Sequence, residues 1–186
     1  MTGCSLRRIC LVGVRGVGKT TLIRQSLTDR TDFEHIVGSN VLRELVGPEF
    51  ARFDHLPAET KRWYRERAID WMDARQAVTQ KHILCDGHTS LLDESCGRVV
   101  PVFTELDCRF FRELILLEAP VAVVLERRRS DSSKRRSLDP MVVAAEIEGE
   151  RRTSAEIAER YGMKFHRLPW SGDSENPDAL RRLLQG

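Results

Sequence analysis

The octapeptide Gly13–Thr20, GVRGVGKT, places glycines at its first, fourth and sixth positions and ends in lysine and threonine. Residues of these types at this spacing can hold a polyphosphate. Glycines let the backbone curl until successive N–H groups point inward at phosphate oxygens, and the positive end of a following helix adds to that field. Lys19 has the reach for the terminal phosphates, and the Thr20 hydroxyl can take a place in the coordination shell of Mg²⁺. Four fixed positions of this kind arise by accident on the order of once in 100 chains of this length. The alternative, a glycine-rich turn without a ligand, is therefore the weaker reading.

Asp86 is a second candidate. It ends the apolar run Ile83–Asp86, ILCD, where a carboxylate can hold Mg²⁺ through water or orient an acceptor oxygen. The competing role is a turn or helix cap. Gly87 leaves room for a substrate beside the backbone. His88 is either an acceptor contact or a bystander in a polar loop.

Six cations fall within Arg127–Arg136. They fit three roles: a solvated helix end favoured by the helix dipole, a nucleic-acid patch, or a lid that closes over an anion. The patch reading lacks interleaved aromatics. Small polar residues between the two arginine clusters suit a hinge, and guanidinium forks grip phosphate oxygens in pairs without losing charge. The lid is the favoured role.

These groups need elements to present them. Arg8–Val14 is a short apolar strand, and Gly18–Leu27 the helix after it. His35–Val37 reads as a second strand, with Asn40 capping a short helix that ends near Gly47-Pro48. Pro57 opens a long helix to about Gln80, in which Trp63 and Trp71 pack on the sheet or, where exposed, mark a contact with a second copy of the chain. Ile83–Asp86 is a third strand, followed by a turn-rich loop, GHTSLLDESCGR. Glu113–Glu118 is a fourth strand, and helices start at Pro120 and at Asp139-Pro140, the second running to Tyr161 before Gly162. Lys164–Leu168 is a fifth strand and Asn176–Leu184 a closing helix. Strands alternating with helices imply right-handed crossovers and a parallel α/β sheet covered on both faces.

Composition narrows the partners. In 186 residues, 41% are hydrophobic and 31% charged, with net charge +2, which describes a globular chain without a global pull toward nucleic acid. No apolar run approaches the roughly 20 residues that span a bilayer. The five cysteines show no C-x-x-C spacing, so the expectation is reduced thiols and a cytoplasmic setting.

Taken with these parts, the chain resembles archaeal-type adenylate kinase, in the nucleoside monophosphate kinase superfamily. The similarity extends from CLVGVRGVGKTT to the last helix. It includes CDGHTSLL at the third strand's end, the lid-like LERRRSDSSKRRSL, and ERYGMKFHRL entering the last strand. The resemblance implies a three-layer P-loop kinase fold with a five-stranded parallel sheet and a short arginine-rich lid. It implies one domain over 1–186, with an acceptor-binding insert at about 38–80 and the lid at about 127–139. ATP and Mg²⁺ are the implied cofactors and nucleotides the partners. Gly13, Arg15, Gly16, Val17, Gly18, Lys19, Thr20, Thr21 and Arg127 would bind the donor, and Thr20 and Asp86 the metal. Lys19, Asp86, Arg128, Arg136 and Arg152 would serve catalysis, with Lys134 a further basic lid position. Arg52 and Arg62 are candidates for the acceptor phosphate, and the loop PWSGDSENP for the donor base. The implied reaction is transfer of the γ-phosphoryl of ATP to a nucleoside monophosphate, AMP first. A kinase for another nucleotide or small metabolite, and a regulatory module that binds or hydrolyses ATP, are the alternatives.

Overall fold

Apolar residues at every position of a short strand require cover on both faces, and β1 (Arg8–Val12) has it: its last four residues are buried. Ile9 and Leu11 enter one core, Cys10 and Val12 the other. The computed structural model describes residues 5–93, 96–131, 136–172 and 175–185. Within them, β1 is central in a five-stranded parallel sheet completed by β2 (Phe33–Val37), β3 (His82–Asp86), β6 (Glu113–Glu118) and β7 (Lys164–Pro169). The order is β2-β3-β1-β6-β7. Connections leave β1 toward β2 and leave β6 toward β7, so the winding reverses between β1 and β6. Ligands of open parallel sheets collect outside such a point.

Helices α1 (Lys19–Ser26), α5 (Val121–Ser130) and α7 (Glu175–Gln185) supply Leu22, Ile23, Val124, Leu125, Leu180 and Leu184 to the first core. Helices α2 (Gly38–Val46), α3 (Ala58–Thr79) and α4 (Glu105–Phe110) cover the opposite face, through Val41, Ala68, Ile69, Met72, Cys108 and Phe110. Each such fully buried aliphatic side chain contributes about 1.5–3 kcal/mol. The result is the three-layer α/β fold with a five-stranded parallel sheet.

Local signals set the ends of α6 (Pro140–Tyr161). The Asp139 carboxylate accepts from Met141 N at 2.8 Å, Pro140 takes the first turn, and Gly162 ends the helix at φ 63°. Other details depart from the expectations. GHTSLLDESCGR is not all loop: β4 (Ser90–Asp93) lies within it and pairs antiparallel with β5 (Arg98–Pro101), which starts at its last residue. The hairpin packs on α6, where a Cβ on Gly149 would come within 2.5 Å of Val99. Asn40 does not cap α2, which already starts at Gly38, and a 3-10 helix fills Gly47–His55. Trp63 is 54% exposed. The sheet-facing stripe of α3 is Ala68, Ile69, Met72 and Gln76, and Trp63 falls off that stripe while Trp71 packs at its edge. Cys10, Cys85 and Cys108 are buried free thiols. Among the described residues, no helix is long and apolar enough to cross a membrane.

Candidate active site

The segment 13–18 leaves β1 at the winding reversal and enters α1. Gly16 and Gly18 hold φ at 87° and 100°, a region open to glycine. A Cβ on Gly13 would lie 2.6 Å from the Leu117 carbonyl oxygen of β6. No side chain caps the start of α1, and its first turn carries no acid, so the helix N-terminus presents its N–H groups to the cleft. Backbone curl, missing side chains and helix dipole together fit a polyphosphate.

Lys19 is buried and donates to Gly13 O at 2.6 Å and Val14 O at 3.3 Å. Burial lowers its pKa, with Asp86 and Glu150 acting against that shift. Its Nζ is 3.9 Å from Asp86 Oδ1, while the Thr20 hydroxyl donates to Asp86 Oδ2. Asp86 and Thr20 thus bring two hard oxygen donors side by side at the edge of the phosphate cradle. That pair fits Mg²⁺, which takes one or two protein oxygens and completes its shell with water and phosphate. Among the described residues no group of three or more His, Cys, Asp or Glu could hold a metal.

The arginines at the end of α5 divide between two tasks. Arg127 lies over the Trp170 ring at 3.9 Å from its centroid and donates to Val17 O of the phosphate loop. Arg136 lines the cleft and pairs with Asp131 at 3.0 Å. Arg128 does not line the cleft. Its guanidinium, 1% exposed, donates to Arg15 O at 2.9 and 3.0 Å and to Ser137 O, and lies 2.8 Å from the Glu146 carboxylate. Glu146 Oε2 nonetheless makes no hydrogen bond. Charge holds Arg128 and Glu146 together, while three of the five guanidinium N–H groups donate to carbonyls. Lys134 and the hinge around it lie outside the described residues.

One cleft of about 1130 Å³ joins these groups. A small-molecule site of this kind takes roughly 300–1000 Å³, and this volume lies just above that range. Around the phosphate loop its lining includes Arg15, Gly16, Gly18, Lys19, Thr20, Thr21, Arg127 and the loop residues Trp170, Asn176 and Pro177. Val17 is fully buried and contributes through its carbonyl. Asn176 shapes the loop after β7: its side-chain oxygen accepts from Ser171 N and Gly172 N at 2.8 and 3.1 Å, and its amide donates to Pro169 O at 3.1 Å. The other side carries Asn40, Phe50, Phe53, Arg65, Met72, Phe103 and Asp107. His88 also lines the cleft. Burial, then Lys19 and Arg15, push its pKa well down, so the imidazole is neutral.

Three expected residues stand elsewhere. Arg152 is exposed on α6 and approaches only Glu156, at 3.9 Å. It sits two residues past Glu150, about 200° around the helix, so it points away from the sheet. Arg62 is exposed and paired with Glu66 at 2.8 Å, and Arg52 is exposed on the 3-10 helix.

Three residues absent from the sequence reading stand inside. Glu150, 1% exposed, accepts from Gly13 N at 3.1 Å, Thr89 N at 2.9 Å, Ser90 N at 2.6 Å and Ser90 Oγ at 2.7 Å. It ties the phosphate loop to the segment after Asp86. Arg65 and Asp107 face the cleft. A signal existed for Glu146, Glu150 and Arg65: each is an ionisable residue on the buried stripe of its helix, in step with Val143 and Ser154 or with Ala68 and Met72. A charge at such a position needs a partner or a ligand.

A sequence profile described as an AAA domain matches residues 12–143. No curated protein matches the chain. The solved structure of shikimate kinase from Bacteroides thetaiotaomicron is similar, with a TM-score of 0.58 at 17% identity, covering 97% of this chain and 99% of that one. At that identity the likeness is one of fold.

Proposed function

The chain belongs to this AAA-domain family, and on that premise we propose that it is an ATP-dependent phosphotransferase that moves the γ-phosphoryl to a nucleoside monophosphate, AMP first. One observation carries the reading: a single cleft of about 1130 Å³ holds the phosphate cradle and, beyond Asp86, a second region walled by aromatics and an arginine. ATP hydrolysis alone has no use for that second region.

The loop amides and Lys19 would hold the β- and γ-phosphates, with Arg127 and Trp170 beside the donor nucleoside. Thr20 and Asp86 would hold Mg²⁺, which when bound neutralises charge developing on the phosphates. Arg136, at the lid's edge, would stabilise the transferring group. The acceptor oxygen is already ionised in a phosphate monoester, so positioning and charge neutralisation supply most of the barrier reduction. The insert at 38–80 would supply the acceptor region and 127–139 the lid, within one domain.

Labelled ATP and Mg²⁺, offered with a panel of nucleoside monophosphates, test this. The panel includes shikimate, because the fold neighbour is a shikimate kinase. ADP formation that depends on AMP is the expected result. ADP formation independent of every acceptor, or no turnover at all, overturns it, and transfer to shikimate alone would replace AMP as substrate.

A further inference from the structure

Helix α3 carries four arginines, and three are ion-paired: Arg62 with Glu66 at 2.8 Å, Arg67 with Asp70 at 2.7 Å and Arg75 with Glu34 at 2.7 Å. Arg65 differs. It is half-buried, lines the cleft, and has neither an ion pair nor a hydrogen bond among the described residues. Its one ring neighbour is Phe53, 5.8 Å from the guanidinium carbon. A guanidinium that lines the cleft with no protein acceptor among the described residues is available to grip an anion there.

Asp107 stands opposite in charge. It is the third residue of α4 and closes a capping box, its Oδ2 accepting from Thr104 N at 2.7 Å and from Thr104 Oγ1 at 2.6 Å. Those bonds fix the carboxyl in the cleft lining, where its charge acts on Arg65. An anion placed on Arg65 meets the Asp107 charge as well.

We propose that Arg65 binds the anionic group of the acceptor and that Asp107 is its counterweight, losing its charge when the anion arrives, so that acceptor binding takes up a proton from solvent. This deepens the acceptor reading above and rests on it for the acceptor's role. The groups facing Asp107 are Arg65 on α3, the Cys10 thiol on β1, and Thr104 and Cys108 on its own helix. Burial pushes the carboxyl up to about 6, the Thr104 bonds and Arg65 acting against that. A nearby anion raises it further. Above pH 6 each anion bound therefore brings up to one proton onto Asp107, and affinity falls as pH rises. By about one unit below pH 6 the carboxyl is largely neutral and the dependence fades.

The test uses sulfate, an oxyanion whose charge stays constant from pH 5 to pH 8, alongside AMP. The donor region is first filled with a non-hydrolysable ATP analogue and Mg²⁺. Calorimetric titration in buffers of different ionisation enthalpy reads both affinity and proton uptake. The parent should bind sulfate with affinity falling by up to about fivefold from pH 6 to pH 7, with up to about one proton taken up at pH 7. Asp107→Asn should bind with no such slope, and Arg65→Gln should lose at least tenfold in affinity for both ligands while its affinity for the ATP analogue stays unchanged. Equal sulfate binding by parent and Arg65→Gln overturns the proposal, as does a parent that binds no sulfate or shows no proton uptake. Sulfate binding that depends on Arg65, with AMP neither bound nor phosphorylated, would uphold the anion site and sink the AMP reading instead.

Discussion

The hydroxyl of Thr20, in the first turn of α1, donates to Asp86 Oδ2 at the carboxyl end of β3, two strands' crossovers away in sequence but adjacent in the sheet. Register explains the meeting: Leu11 of β1 is level with Asp86 of β3, so the loop leaving β1 passes the carboxylate as it turns into the helix. Asp86→Asn should therefore raise the Mg²⁺ concentration for half-maximal turnover by at least tenfold, because a neutral amide holds a hard cation poorly. Titrating Mg²⁺ against initial rate checks it, and an unchanged half-point counts against the metal assignment.

Lys19→Ala should cut turnover by about 10²–10³-fold, the range for removal of a group that stabilises developing charge. Its hydrogen bonds in this structure go to two carbonyls of its own loop, so the fold has little need of it. Thermal melting should shift only slightly. A variant that retains the parent rate removes Lys19 from the chemistry.

Arg128 and Arg136 make opposite predictions despite their shared segment. Arg128→Ala leaves Glu146 as a buried, unpaired carboxylate, and should destabilise the fold by about 3–5 kcal/mol, visible in urea midpoints. Arg136→Ala removes a cleft-facing cation whose partner Asp131 is more accessible, and should lower turnover with little change in midpoint. Reversal of the two effects would exchange their roles.

Asp107 also sets a pH dependence of stability. Its pKa in the folded chain, about 6, lies above the ordinary carboxylate value of 3.8, so folding favours the protonated form. The stability linked to that proton is complete below pH 3.8 and is lost as pH rises through 6. Asp107→Asn, which keeps an oxygen for the Thr104 bonds, should thus stabilise the chain by about 1–3 kcal/mol at pH 7.5 and much less at pH 4. Denaturation at the two pH values measures the difference. Equal effects at both would show that the carboxyl titrates as if in water.

Sheet and cradle were legible because both are written in local pattern. The apolar strands, the glycines of residues 13–18, Pro140 and Gly162 act on their immediate neighbours, and their consequences appeared where expected. Asp86 was readable for the same reason, as the polar residue that ends a buried strand. The hairpin Ser90–Pro101 was not, because its turn residues look alike whether or not the flanking segments pair.

Which cations face the cleft needed the folded chain. Arg127, Arg128 and Arg136 read as one cationic segment, yet one stacks on Trp170, one is locked to Glu146, and one faces the cleft. Arg52, Arg62 and Arg65 share a stretch of thirteen or so residues about one helix start, and helical phase alone turns Arg65 inward. By itself the sequence determined the phosphate cradle and the parallel sheet, since backbone conformation and alternating burial depend on residues close in the chain. Only the tertiary structure decided which charges meet the cleft, because a long flexible side chain takes its direction from what packs beside it, as Arg128 does from Glu146 of α6 and Arg127 from Trp170 after β7.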